Sequence, residues 1–380
     1  QEVPILAGTK IVGRQSNYNI GVLDVQTRDL DDDPNTGQNL LAARISRNLF
    51  RQSSVGAIVT HGNPQGTGSN TLVGADARFA TSTFRGDKNL SVTAFLLRTD
   101  DQATDTRDYA VGASIDYPND LWEGSLGWRQ IGEDFRPALG FVPREGIRKI
   151  SGDASFAPRP GRWGIRQLFF EFHPGVITDL HNQVQNWDVF SAPFNVELES
   201  GDHFEFNYMP QFERLPEPFE ITEGVVIPPG SYRTTRWGVQ VRTADKRLWV
   251  AHGELAWGGF YSGTRREVSL ELELKPNTHV AFAVEINRNS VSLREGSFPT
   301  QIVTVRANYN VSPDVSWANL VQYDNESRIM GVQSRFRWIL RPGNDIFLVL
   351  NRGWYRREMD GRYLPDFDKG SLKLQYTFRL

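Results

Sequence analysis

The chain closes on Ser371-Leu372-Lys373-Leu374-Gln375-Tyr376-Thr377-Phe378-Arg379-Leu380. In an extended backbone, successive side chains point to opposite faces. Leu372, Leu374, Tyr376, Phe378 and Leu380 therefore share one face, and Ser371, Lys373, Gln375, Thr377 and Arg379 share the other. The stretch is as long as a strand needs to be to cross a bilayer at a tilt, about ten residues. Its two faces, one greasy and one wet, predict a strand with lipid on one side and water on the other.

The same period of two recurs upstream. Val268, Leu270, Leu272 and Leu274 alternate with Glu267, Ser269, Glu271 and Glu273, and Val280, Phe282, Val284 and Ile286 alternate with Ala281, Ala283, Glu285 and Asn287. Val303, Val305, Ala307 and Tyr309 follow the rule, as do Tyr109/Val111/Ala113/Ile115, Trp122/Gly124/Leu126/Trp128 and Phe204/Phe206/Tyr208. Helical periodicity prevails nowhere.

The connections alternate as well. Turn chemistry marks short links at Arg85-Gly86-Asp87, Pro118-Asn119-Asp120, Ser200-Gly201-Asp202, Ala244-Asp245-Lys246, Lys275-Pro276-Asn277, Ser312-Pro313-Asp314 and Pro342-Gly343-Asn344. Longer polar stretches lie between them at Thr27–Gln38, Ile131–Gly146, Arg214–Gly230, Asn287–Thr300 and Arg356–Gly370. This pattern predicts an all-β chain: a transmembrane up-and-down antiparallel β-barrel of about 20–22 strands, with short periplasmic turns and long extracellular loops. A soluble propeller would show shorter strands and a blade repeat, and no such repeat is visible.

Composition agrees by exclusion. The 380 residues contain no cysteine, so a disulfide framework, a thiolate metal site and a cysteine nucleophile are impossible. A net charge of −3 gives no general attraction for nucleic acid, and 39% apolar content is too high for a disordered chain. A mean hydropathy of −0.44 and the lack of a long apolar run exclude a membrane-crossing helix. They leave a β-barrel open, because only alternate residues of its strands are apolar.

With the apolar faces toward lipid, the wet faces line a lumen. Glu123, Arg129, Glu205, Arg236, Arg242, Glu254, Glu271, Glu273, Arg306, Arg335 and Arg337 are the lumen-lining candidates. The basic residues are 35 Arg against 7 Lys. Guanidinium forks suit bidentate pairing, so most of these charges are expected in salt bridges between neighbouring strands and a minority facing solute. Trp122, Trp128, Trp187, Trp237, Trp249, Trp257, Trp317, Trp338 and Tyr323 are expected mainly near strand ends on the apolar face, as interfacial girdles.

Catalytic motifs are wanting. There is no G-x-S-x-G, the glycine-rich Gly62–Ser69 carries no phosphate-loop lysine, and the six histidines have no metal-ligand spacing. No enzyme activity and no cofactor are expected. Asp29, Asp31 and Asp33 space oxygen ligands at alternate positions, as a calcium loop does, but proline stands where the turn glycine belongs and the closing glutamate is missing. A solvated acidic loop is the expectation there.

Three segments carry a resemblance: Pro4–Gly13 (PILAGTKIVG), Tyr18–Thr27 (YNIGVLDVQT) and Phe135–Arg144 (FRPALGFVPR). With them the chain resembles the barrel region of bacterial outer-membrane proteins that carry a family-9-like carbohydrate-binding domain upstream of a large barrel of unassigned function. The resemblance implies a localisation in the bacterial outer membrane and a single barrel domain over residues 1–380, with an N-terminal periplasmic domain outside them. It supplies no catalytic residues.

Phe135, Arg136, Leu139, Phe141 and Arg144 lie in the connection Ile131–Gly146, which is too apolar to extend into water. It is expected to pack at or inside the barrel mouth as a plug or constriction, with Phe135, Leu139, Phe141 and Val142 buried and Arg136 or Arg144 paired with a wall carboxylate. Counting turns and loops gives the first and last strands the same direction, an odd number, which cannot close an antiparallel barrel. Either the count is off by one or, as expected here, a strand upstream of residue 1 sits between Ile5–Arg14 and Ser371–Leu380. The function expected is a passive transport channel for a solute or polymer, with a glycan as the cargo that the resemblance suggests. The alternative is a plugged scaffold for a lipoprotein, a periplasmic partner or an electron carrier. The bilayer and its lipopolysaccharide are the expected surroundings.

Overall fold

The computed structural model describes residues 4–28, 37–64, 68–357 and 359–377. Twenty-three strands follow one another: β1 (Ile5–Gln15), β2 (Tyr18–Thr27), β3 (Asn39–Leu49), β4 (Ser53–His61), β5 (Asn70–Phe84), β6 (Lys88–Asp101), β7 (Thr106–Pro118), β8 (Trp122–Ile131), β9 (Ile147–Phe156), β10 (Ile165–Asp179), β11 (Val184–Leu198) and β12 (His203–Leu215). After a two-stranded hairpin, β13 (Phe219–Thr222) and β14 (Val225–Ile227), come β15 (Gly230–Arg242), β16 (Trp249–Phe260), β17 (Gly263–Leu274), β18 (Val280–Ser292), β19 (Ser297–Ser312), β20 (Val315–Asp324), β21 (Ile329–Arg341), β22 (Asn344–Arg356) and β23 (Tyr363–Gln375). No helix occurs among the described residues. Twenty-one strands belong to a single sheet, within the expected range and odd as the parity requires.

The residues group into two compact units. The first holds Gln1–Ala157, Glu171–Phe190 and Phe212–Arg214; the second holds Pro158–Phe170, Ser191–Gln211 and Leu215–Leu380. In the first, every strand from β1 to β9 pairs antiparallel with the next. In the second, β15 to β23 do the same. This is the up-and-down antiparallel architecture that the alternation predicts.

Register keeps the two faces apart. Along the second unit, Phe282 stands opposite Leu274 and Ala307, while Glu285 stands opposite Glu271 and Thr304. A slip of one residue would exchange the faces, so this pairing is what gathers the greasy positions on one side. Leu374 faces Ile346, and Ile346 faces Trp338, so the apolar face of β23 continues that of its neighbours. The expected strand Ser371–Leu380 is instead the end of a longer one that starts at Tyr363; Phe378, Arg379 and Leu380 lie outside the described residues.

All seven short links fall between strands as expected. Two of the long stretches contract. Asn287–Thr300 reduces to residues 293–296 and Arg356–Gly370 to residues 357–362, because β18, β19 and β23 run on through residues in which polar side chains break the apolar alternation. Polar side chains there read as loop in the sequence although their backbone still pairs in the ladder. The stretch Arg214–Gly230 contains the hairpin β13–β14, which the sequence analysis did not anticipate.

Candidate functional site: the polar faces and two folded-in connections

In the first unit, the wet face begins with charge and hydroxyls. Arg44 on β3 pairs with Asp76 on β5 at 2.8 Å, across Gly56 of the intervening β4. Ser125 on β8 donates to Asp153 on β9 at 2.5 Å, and His173 Nδ1 lies 2.7 Å from the other oxygen of that carboxylate. The order is hydroxyl, carboxylate, imidazole, so the imidazole does not contact the serine, as it would beside an acyl-transfer nucleophile. Arg129 lines a cavity of about 350 Å³ with Thr93, Ser114, Asp116 and Ser125. Neither Arg129 nor Glu123 has an ion pair among the described residues.

Higher on the same face the wall turns apolar. Ile58, Leu72, Phe95, Leu97 and Ala110 occupy positions that stand in register with the polar row, and on them sits Phe135, 2% exposed. The connection 132–146 has thus folded onto the wet face. Asn70, at the first position of β5 and 2% exposed, fastens it: its Nδ2 donates to the Arg136 carbonyl at 2.7 Å, and its Oδ1 accepts from the Ala138 amide at 3.0 Å. Asp108 on β7 accepts from the Asp134 amide at 2.9 Å. Gly132 makes that approach possible, since a Cβ there would lie about 2 Å from the Asp108 carboxylate.

The expected burial of this connection holds for Phe135, while Leu139 and Val142 are half-buried. Phe141 departs from it, with 87% exposure. A turn closed by Gly140 N donating to the Pro137 carbonyl at 3.0 Å reverses the chain just before it, and the ring leaves the surface that Phe135 occupies. The arginines also depart from expectation. Arg136 pairs with Glu145 of the same connection at 3.2 Å, and Arg144 donates to the Asn186 amide oxygen on β11 at 3.2 Å. Backbone bonds to Asn70 and Asp108 hold the loop, so neither arginine has to reach a wall carboxylate.

In the second unit, the charge lattice is denser. Arg306 on β19 pairs with Glu271 on β17 at 3.3 Å and with Glu285 on β18. Arg236 on β15 and Arg265 on β17 both pair with Glu267. Gly258 of β16 stands opposite both arginines at φ +148°, and a Cβ there would meet the Thr235 carbonyl at 2.2 Å. Glu205 accepts from Asn195 at 3.0 Å, Glu273 pairs with Lys275 at 2.8 Å, and Arg337 with Asp345 at 3.1 Å. Arg242 reaches the turn residue Asp245 rather than another strand. Glu254 stands on the same face opposite Gln240 and Ser269, and Arg335 opposite Ala318. Arg335 has no ion pair among the described residues. Most of the lattice is thus internal, and each carboxylate that pairs with an arginine leaves less charge for a ligand.

Here too a connection folds over the wet face. The hairpin β13–β14 places Ile227, with no exposure, and Val225 against Phe260, Val291, Leu293 and Phe298. Thr222 ties it down by donating to Glu326 at 2.8 Å. Asn70, Asp108 and this hairpin escaped the sequence analysis. The signal was an apolar residue at wet-face positions on several consecutive strands, such as Leu72 and Leu97 or Phe260 and Val291, which marks a seat for something apolar. Asp29, Asp31 and Asp33 lie outside the described residues.

No protein-family model and no curated protein matches the sequence. Among solved structures, the chain resembles the siderophore receptor PirA from Pseudomonas aeruginosa with a TM-score of 0.46 and 11% sequence identity, covering 98% of this chain and 69% of that one. Nothing of that receptor's activity passes to this chain at such a likeness.

Proposed function

We propose that the chain is a bacterial outer-membrane β-barrel acting as a passive channel, with its polar faces toward a lumen that the connection 132–146 narrows. One observation carries the reading: large apolar side chains form continuous exposed rows on the face opposite the salt bridges. Leu270 is 53% exposed, Leu272 48% and Phe282 42%, on adjoining strands in register. Such rows are costly in water and favourable in hydrocarbon, where a closed sheet has no free edge. Arg129, Glu123, Glu254 and Arg335 are among the wall charges left to meet a solute. Glycan is one candidate cargo, and the lumen walls supply hydroxyls, carboxylates and guanidinium groups that bind it.

A second reading, a plugged scaffold for a lipoprotein or periplasmic partner, draws on the firmness with which Asn70 and Thr222 hold the two folded-in connections. Single-channel recording in a planar bilayer separates the two. The channel reading expects discrete conductance that rises when Pro137–Pro143 is deleted. A silent bilayer before and after that deletion overturns it and favours the scaffold.

A further inference from the structure

The apolar face of the second unit is not uniform along its strands. At the end where residues 243–248, 275–279 and 313–314 turn, it carries Trp249, Phe282, Tyr309 and Trp317, without a charged residue on that face of β16 to β20. At the opposite end, which holds the long connection 216–229, it carries Arg266 and Arg288. Arg266 stands opposite Trp257 on one side and Ser290 on the other, and Arg288 stands opposite Val268 and Gln301. The two arginines are therefore diagonal neighbours across the β17–β18 ladder, a relation that sets side-chain origins about 7–8 Å apart. Both are exposed, and neither has a hydrogen bond, ion pair or ring contact among the described residues. That contrasts with Arg236, Arg265 and Arg306 on the other face of β15, β17 and β19, which all have carboxylate partners. A cavity of about 400 Å³ opens beside Arg266, with Trp257, Thr264, Ser290 and Ser292 in its walls.

We propose that Arg266 and Arg288 form a binding site for a phosphate borne by a glycolipid of the outer leaflet. The proposal rests on the membrane reading above and assigns a partner to one spot on its surface. A guanidinium facing lipid is tolerated near the interface, where it can extend to the headgroups. Two without a counter-charge, three and four residues from the strand ends, leave donors and a doubled positive charge that an anion at headgroup depth satisfies best. Phosphate does so by charge-assisted, bidentate bonds. The hydroxyls of Thr264, Ser290 and Ser292 offer further donors beside it. The opposite end, aromatic and uncharged, suits a leaflet in which no such anion is required.

The test uses the full chain in nanodiscs of zwitterionic phospholipid, with bound lipid read by native mass spectrometry. Diphosphorylated lipid A, its fully dephosphorylated form and inorganic phosphate are titrated separately, and flotation in a density gradient reports insertion on its own. Wild type is expected to retain the diphosphorylated lipid about tenfold or more over the dephosphorylated form, with inorganic phosphate failing to compete at equal concentration. R266Q/R288Q is expected to lose that preference while floating normally. S290D, which supplies the missing counter-charge between the two arginines, is expected to lose it too. Equal retention by wild type and both variants, or full competition by inorganic phosphate, overturns the site while leaving the membrane reading standing. A wild-type chain that does not float overturns both.

Discussion

The side chain of Asn70 donates to the backbone carbonyl of Arg136 at 2.7 Å, although 66 positions separate them in the chain. The same amide accepts from Ala138 N, so one side chain reads the backbone on both sides of Pro137. Those contacts do not depend on the identity of the loop side chains. They make the position of the connection a property of the wall.

Replacing Asn70 with alanine removes both bonds, together with the one its Nδ2 donates to Asp101 at 3.1 Å, and leaves a part-buried carbonyl and amide without their partner, at a cost of about 1–3 kcal/mol. The N70A variant is expected to keep its fold, lose amide-exchange protection at Ala138 and become cleavable within residues 132–146. Unchanged protection at Ala138 would show that the loop is held by something else.

Phe135 and Phe141 belong to one connection and differ in burial by almost their whole side chain. Phe135→Ala opens a cavity against Leu72 and Ala110 and costs about 3–5 kcal/mol of local stability, whereas Phe141→Ala touches nothing and stays near zero. Limited proteolysis of the two variants compares them directly. Equal sensitivity of the two variants would contradict the seat described for Phe135.

Val284 and Glu285 are consecutive residues of β18 on opposite faces. Val284→Arg puts a charge among Leu272, Val305 and their neighbours and is expected to destabilise by about 2–4 kcal/mol in reversible unfolding from lipid. Glu285→Ala leaves Arg306 its second partner, Glu271, and is expected to change conductance rather than stability. Comparable losses from the two would mean that the faces have been assigned wrongly.

The period-two rows in β17, β18 and β19 were legible because both faces speak at once, and the greasy positions of those rows land on one side, apart from Val291 and Phe298 beneath the hairpin. The connection 132–146 was legible in outline from its excess of apolar residues. What escaped was set by tertiary contact. Nothing local marks Asn70 as an anchor, since its partners are backbone atoms far along the chain. Arg136 offered no sign that it would choose Glu145, nine residues on, over a wall carboxylate. The hairpin β13–β14 hid in Arg214–Gly230 because two strands of four and three residues are too short to show a period.

Asp202, in the turn between β11 and β12, gives a pH dependence outside the sheet. Its carboxylate accepts from Ser200 Oγ at 2.7 Å and from Ala244 N at 2.9 Å, and it pairs with Arg247 at 2.6 Å. The Ser200 bond first, then the Ala244 amide and the guanidinium, hold its pKa below the usual carboxylate value. A depressed folded-state pKa means that the stabilisation is complete above the unfolded value, about 3.9, and is lost as pH falls through the lower folded one. Exchange protection at Ala244, corrected for intrinsic rates, is expected to stay flat from about pH 7 to about pH 5 and to fall in stronger acid. Asp202→Asn should lower protection at neutral pH and abolish the acid limb. An acid limb that persists in D202N would assign it to another group.

The end of β23 offers the most direct reading of which side meets lipid. Leu374 stands opposite Ile346, in the row that continues to Trp338, and Gln375 stands opposite Asp345, the partner of Arg337 on the other face. Two adjacent residues therefore sample the two environments at almost the same depth, which cancels depth as an explanation of any difference. The chain has no cysteine, so single-cysteine variants at these positions take a spin label at one site only. In lipid, a label at 374 is expected to relax with dissolved oxygen and one at 375 with a water-soluble nickel chelate. The reverse pattern would place the register one residue out and carry every apolar side chain of the strand to the wet face. Equal accessibility at both would mean that this strand borders water on both sides.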